Sequence, residues 1–372
     1  MGFVPAEVFP PGSYIQDELD DRGWTQDDLA AIMGRPRQAV NEIIKAKKRV
    51  TEETAKELEA ALGIDAALWM KMEALYRLHH AEPAPTSVAR HAALRARTPL
   101  RNMLARGWIQ DSDSVDALES RVLRFLEIKT LSERAQIAYA AKQTDYAAEL
   151  SADQEAWILR VKHIAEGLPC AEYSEEKLAA ALELLRPLRS DPMEIRHIPR
   201  ILAEAGVRLV IVEPQPSLKK VDGVCLWLDS GPVIGMTLRF DRIDNFWFVL
   251  LHEIAHVLNR DGTIVDVELD RKRDDLSDQE NRANAMALDF CVPSEQMETF
   301  MARVGPLYSE QKITAFANYI GVHPGLVAGQ LRSRLDNWKI FAELLVKIRH
   351  IIIPACVVDG FGNVLPALDS TD

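Results

Sequence analysis

Cysteine is scarce and scattered: Cys170, Cys225, Cys291 and Cys356 form no CxxC pair. That pattern excludes a disulfide framework and a thiolate zinc site, and it fits a reducing cytoplasm. Long apolar runs are missing too. No stretch of about 18 uninterrupted apolar residues occurs, and the opening MGFVPAEVFPPGSY has no basic segment leading into an apolar one, so neither membrane insertion nor secretion is expected. Positive charge is in deficit. A net charge of -12 argues against nucleic-acid affinity spread over the whole surface, which leaves a local basic patch as the way to bind DNA. Histidine is the last scarcity, with 9 in 372 residues, so any pair at a regular spacing stands out. What remains is a chain too long for one ordinary core. Helical periods interrupted by one short β-rich stretch predict a mainly α fold with a small β-sheet, α+β in class.

The first helical periods begin at Tyr14, as YIQDELDDRG, TQDDLAAIMG and PRQAVNEIIKAKKRV. Ile15, Leu19, Leu29, Ile32, Val40, Ile43 and Ile44 recur at three-to-four spacing as a candidate core, and Gly23 and Gly34 end the first two helices. Thr25 before QDDL is an N-cap with acids in the first turn. The spacing predicts a helix-turn-helix across Thr25 to Lys45, inside a first domain at residues 1–80. Arg35, Arg37, Lys45, Lys47, Lys48 and Arg49 set a basic patch against Glu42. Such cations supply phosphate contacts, while Arg37, Gln38 and Asn41 stand where a recognition helix reaches base edges. The plainer reading is a solvated helix end. Three blocks, FPPGSYIQDELDDRGWTQDDLA, VNEIIKAKKRVTEETAKELEAALG and ALWMKMEALYRL, carry a further signal. From Phe9 to Leu78 the chain resembles the HigA-type antitoxin branch of the XRE helix-turn-helix family. The resemblance implies a homodimeric module with a DNA operator as partner; it leaves room for a toxin partner without showing one.

AEPAPTS at 81–87 reads as a boundary, and residues 81–175 as linker and helical spacer. Arg90, Arg95, Arg97, Arg101 and Arg106 form a second basic stretch, which either widens the DNA footprint or pairs with the acidic remainder. DSVDALESRVLRFLEI, ERAQIAYAAKQTDYAAEL and DQEAWILRVKHIAEGL have helical periods and no catalytic constellation. His91, His163 and His197 stand alone in such helices, as packed or solvent-facing rings rather than ligands.

The chemistry is concentrated in FWFVLLHEIAHVL, Phe246 to Leu258, where His252, Glu253 and His256 make an HExxH pattern. Histidines four apart project from one helix face and reach a single metal ion, with the glutamate beside any water on it. Before it, residues 207–213, 222–229 and 232–240 predict three strands, with Asp229 to Pro232 as a hairpin turn. Val233 to Thr237 is the candidate edge for a substrate strand. Asp241 or Asp244 is expected to cap the helix, which runs to about Asn259 and stops before Gly262. Glu280 opens the next helix, ENRANAMALDFCV, on a face of small residues that allow close packing; it is the third-ligand candidate, with Asp266, Glu268 and Asp270 as loop alternatives. Zn²⁺ is the expected cofactor, with a position left for water. Asn284 and Asp289 are candidates to orient the histidines. Tyr319 or His323 are candidate oxyanion donors, against the plainer readings of a core tyrosine and a turn histidine.

The strand-then-HEIAHVL block, followed by Glu280, Ala283, Asn284, Ala287, Phe290 and Pro293, resembles the ImmA/IrrE family of metallopeptidases across Leu178 to Pro293. Met286 stands where that family usually has an aromatic and Arg282 where it often has a second acid; neither is a proposed ligand. The resemblance implies a zinc metallopeptidase domain at 176–300, with Glu253 as catalytic base on a metal-activated water. Residues 301–372 read as a helical C-terminal region: two helices split at Gly321 to Pro324, a long amphipathic helix through WKIFAELLVKIRH, and a hairpin around Gly360 to Asn363. Together the parts predict a DNA-binding regulatory endopeptidase that cleaves a repressor or antitoxin. The competing prediction is an antitoxin-like repressor whose metallopeptidase-like part binds a toxin or signal without proteolysis.

Overall fold

The computed structural model describes residues 8–135, 150–215, 218, 221–261, 264–267, 278–359 and 364–365. Its contacts separate into two compact units, Met1–Thr86 and Ser87–Asp372.

The first unit is helical: α1 (Pro11–Arg22), α2 (Gln26–Met33), α3 (Arg37–Ile44), α4 (Glu52–Leu62) and α5 (Ala66–His80). Thr25 caps α2 through a reciprocal box. Its hydroxyl accepts from the Asp28 N–H at 3.2 Å and the Asp28 carboxylate accepts from the Thr25 N–H at 2.7 Å, which holds that carboxyl below the usual carboxylate range. Gly23 and Gly34 end α1 and α2 in the left-handed conformation, as their positions in the sequence predict. The core gathers Ile15, Leu19, Leu29, Val40, Ile43, Leu58 and Trp69. Ile32 does not join it: at 51% exposure it faces outward, because the short α2 already turns Leu29 and Ala30 inward.

The second unit opens with α6 (Thr86–Arg97), α7 (Leu100–Ala105), α8 (Val115–Leu126) and α9 (Ala152–Glu166), then α10 (Glu175–Leu188) and α11 (Ile198–Glu204). Strands β1 (Arg208–Val212), β2 (Val221–Leu228) and β3 (Gly231–Met236) follow, then α12 (Ile243–Asn259), β4 (Ile264–Val267), α13 (Asp278–Cys291), α14 (Ser294–Val304), α15 (Glu310–Ile320), α16 (Pro324–Arg334), α17 (Arg349–Ile352), β5 (Val357–Asp359) and β6 (Val364–Leu365). The fold is mainly α with one small sheet, as the sequence predicts. Six strands are described rather than three, in the order β4-β2-β3-β1-β5-β6. β1 runs parallel to β3 and β5, with Leu209 opposite Ile234 and Val210 opposite Val357. β2 runs antiparallel to both β3 and β4.

Both sheet faces are covered. Leu209, Ile211, Cys225 and Ile234 pack toward α12, whereas Val210, Val212, Val224 and Val233 pack toward Trp157, Ile158 and Val161 of α9. A strand buried on both sides has no use for alternation, which is why RLVIV reads as a continuous apolar run. The stretches 81–175 and 301–372 contribute helices to this same unit. Two sequence expectations fail here. Val233 to Thr237 is not an edge, since β3 lies between β2 and β1. No long helix follows α16 either: the chain turns through positive φ at Asp336 and Phe341 and passes a 3₁₀ turn at Ala342–Leu344. Tertiary contacts override local propensity there. Val346 supplies the carbonyl that accepts the Ile243 N–H, and the Asp241 carboxylate accepts from the N–H groups of Ile348 and Arg349 at 3.1 and 2.7 Å.

The helix predicted over ERAQIAYAAKQTDYAAEL falls largely in 136–149, outside the described residues. The hairpin turn at Gly360 to Asn363 also lies outside them, while its flanks pair as β5 and β6.

Candidate metal centre and DNA-reading helix

In the first unit, α3 presents Arg37 and Gln38 to solvent, with Asn41 half-buried behind them; Lys45, Lys47, Lys48 and Arg49 are exposed in the following turn. Arg35 is different. Its Nη2 donates to Glu57 Oε1 at 3.1 Å and lies 3.6 Å from Glu53, so the guanidinium fastens the turn before α3 onto α4. The Glu57 hydrogen bond also raises its pKa above the ordinary arginine value. This ties Arg35 into the unit's architecture. The second basic stretch is engaged in part: Arg90 pairs with Glu119 and Asp116, Arg97 with buried Glu155, and Arg106 donates to the Glu213 and Pro214 carbonyls, while Arg95 and Arg101 are exposed.

In the second unit the site is built on α12. The helix is apolar nearly all round, and every residue from Phe246 to Val257 is buried, as suits a central helix packed on the sheet and on α13. Neither predicted cap serves it. Asp241 binds the backbone at 348–349, Asp244 forms a two-point ion pair with Arg242 at 3.0 and 2.8 Å, and Arg242 at the N-cap position makes no side-chain cap. The buried N-terminal end of the helix is instead closed by the Val346 carbonyl, which accepts the Ile243 N–H.

His252 and His256 converge as a four-residue spacing requires, with their Nε2 atoms 2.9 Å apart and their rings edge-on. α13 brings Glu280 to the same point: Oε2 lies 3.3 Å from His252 Nε2 and Oε1 3.4 Å from His256 Nε2. Ala283 and Ala287 are buried beneath it, so α13 can approach α12 closely. At the far end of α13, buried Arg189 donates to the Phe290 and Cys291 carbonyls, and burial lowers its pKa. Four-coordinate zinc with bonds near 2.0–2.1 Å needs donors about 3.3 Å apart. Both carboxylate–imidazole separations meet that distance, the imidazole pair is a few tenths of an ångström closer, and the donors all lie within 4.8 Å of one another. Neutral imidazoles and a carboxylate are an appropriate zinc donor set. Among the described residues, these three are the group of His, Cys, Asp or Glu whose donor atoms could hold a metal ion. Of the alternatives, Asp266 lies on β4 with only its backbone described, and Glu268 and Asp270 lie outside the described residues.

Glu253 is fully buried beside the ligands and faces β2. Its carboxylate lies directly on the strand backbone: a Cβ at Gly223 would stand 2.1 Å from Glu253 Oε1. Asp261 touches His256 from behind, with Oδ2 3.0 Å from Nδ1. Neither Gly223 nor Asp261 is among the residues singled out from sequence. A glycine inside VDGVCLWL does signal close backbone approach, and an acid just past the HExxH helix is within folding-back distance of its last turn. Neither orienting candidate is seen bonded to the histidines. Asp289 accepts the Ser294 N–H at 2.9 Å, and Asn284 is buried with no hydrogen-bond partner for its Oδ1 among the described residues. His323 caps α16, accepting the Gly325 N–H on Nδ1 at 3.0 Å, which is the turn-histidine reading. Tyr319 is 84% exposed on α15 and is not a core residue. His163 binds Glu127 at 3.0 Å and His197 is exposed, so both keep their plainer readings.

Comparison with known proteins fixes the first of the two units. Residues 15–69 match the helix-turn-helix family model. The first unit is therefore a DNA-binding helix-turn-helix, as expected for a regulator. No match to the chain was found among curated proteins.

Proposed function

We propose that the chain is a DNA-binding regulatory zinc metallopeptidase. One observation carries the reading: His252, His256 and Glu280, from two different helices, bring their donor atoms to one point beside a buried glutamate on the intervening turn. Zinc held there supplies Lewis acidity that lowers the pKa of water into the neutral range. Glu253 is the base that accepts the water's proton and later returns it to the leaving amine. The β2 backbone at Gly223 fixes where that carboxylate sits. A substrate strand does not add at β3, whose two edges are taken by β2 and β1; β4, the outer neighbour of β2, is the edge on this side.

A helix-turn-helix on the same chain supports a DNA-bound regulator, a repressor or an antitoxin, as the protein substrate. Leu68, Leu75 and Leu78 stand exposed along α5, and their spacing supports a homodimer on a two-half-site operator. A Glu253→Gln chain, used as a trap in pull-down, is expected to retain a protein that the unsubstituted chain cuts. Cleavage that persists in Glu253→Gln contradicts the mechanism. A trapped toxin that neither form cuts would leave a binding protein in place of a peptidase.

A further inference from the structure

The turn that ends α12 belongs to the metal centre. Arg260 adopts φ 51°, in the left-handed region, and the Asp261 N–H donates to the His256 carbonyl at 3.1 Å while the Arg260 N–H donates to Val257. This six-to-one closure folds the chain back along the helix axis. It sets Asp261 against the turn that carries the second histidine. The Asp261 side chain is only 4% exposed and its Oδ2 lies 3.0 Å from His256 Nδ1.

We propose that Asp261 is a positioning residue for His256, acting through the helix-ending turn, an inference that rests on the zinc reading of the site. A neutral imidazole has one proton and one lone pair. With a buried carboxylate accepting at Nδ1, the proton stays on that side and the lone pair of Nε2 points at His252 and Glu280, where both lie within 3.4 Å. The ring is held against rotation by the same contact. A metal arriving at the site then meets a donor already in the correct tautomer and orientation, so less ordering is needed on binding. The backbone bond and the side-chain bond link the same two residues, Asp261 donating its N–H to the His256 carbonyl and its carboxylate accepting at His256 Nδ1, so helix termination and ligand orientation are one device.

The test is zinc affinity of the full chain, measured by competition with a chromogenic chelator. Asp261→Ala is expected to weaken zinc about 10- to 100-fold, the effect typical of removing such a partner. Asp261→Asn, near-isosteric and still able to accept from Nδ1–H, is expected to lose less. Arg260→Gly, which adopts the left-handed turn freely, should hold zinc as the parent does, whereas Arg260→Val, which resists it, should weaken zinc as Asp261→Ala does. Parent-like affinity in both Asp261 variants overturns the proposal while leaving the metal reading intact. Parent-like affinity in Arg260→Val overturns the part assigned to the turn. A parent chain that binds no zinc overturns the metal reading itself.

Discussion

Gly223 and Glu253 show how a strand backbone can hold a buried carboxylate in place. Because an added methyl would stand 2.1 Å from the carboxylate, Gly223→Ala should push Glu253 aside without touching a ligand. Peptidase turnover is expected to fall about 100-fold, as for a misplacement near 1 Å, with zinc content unchanged; parallel loss of zinc would show that the strand itself had moved. The cations of the first unit divide in a similar way. Lys47→Ala should weaken all DNA sequences alike and flatten the salt dependence of binding by about one unit of slope. Arg35→Ala should instead lower the unit's melting temperature, since its guanidinium is held by Glu57. The convergence of His252 and His256 was legible because HExxH encodes its own geometry in a spacing. Gly223 and Asp261 were not, because each matters only through an atom that the chain's turns bring beside it.

Periodicity recovered α1 to α3, the glycine ends of the first two and the Thr25 cap, all of which depend on neighbours in the sequence. It failed where distant segments intervene. β3 looks the same as an edge or an interior strand until β1 docks parallel to it. The segment after α16 has helical periods but is held by Asp241 and Ile243, more than ninety residues away. α16 itself makes a pH prediction. Its cap requires a neutral His323, because Nδ1 accepts the Gly325 N–H, and burial lowers the pKa against a smaller opposing pull from Asp191. The unfolded chain takes up a proton that the folded chain refuses, so this contribution is full above the ordinary histidine value and declines as the pH falls below about 6.5. Denaturant midpoints of the second unit should drop on acidification, and His323→Asn, which caps without titrating, should make that drop shallower.

The two units divide the work by charge and chemistry. An acidic chain with a net charge of -12 carries a cluster of accessible cations around α3, on the helix-turn-helix, and buried polar chemistry around α12. No described helix is long and apolar enough to cross a membrane. On the proposed reading, a peptidase tethered to a DNA reader would act on what gathers at the bound DNA, which would narrow the substrate to a regulator. That narrowing depends on the ligands binding metal at all. Zinc content of the purified full chain, by elemental analysis, is therefore the decisive measurement. The account predicts about one zinc per chain in the parent and in Glu253→Gln, and its loss in His256→Ala and Glu280→Ala. A parent chain without zinc, or zinc that stays when His256 and Glu280 are removed, would contradict it.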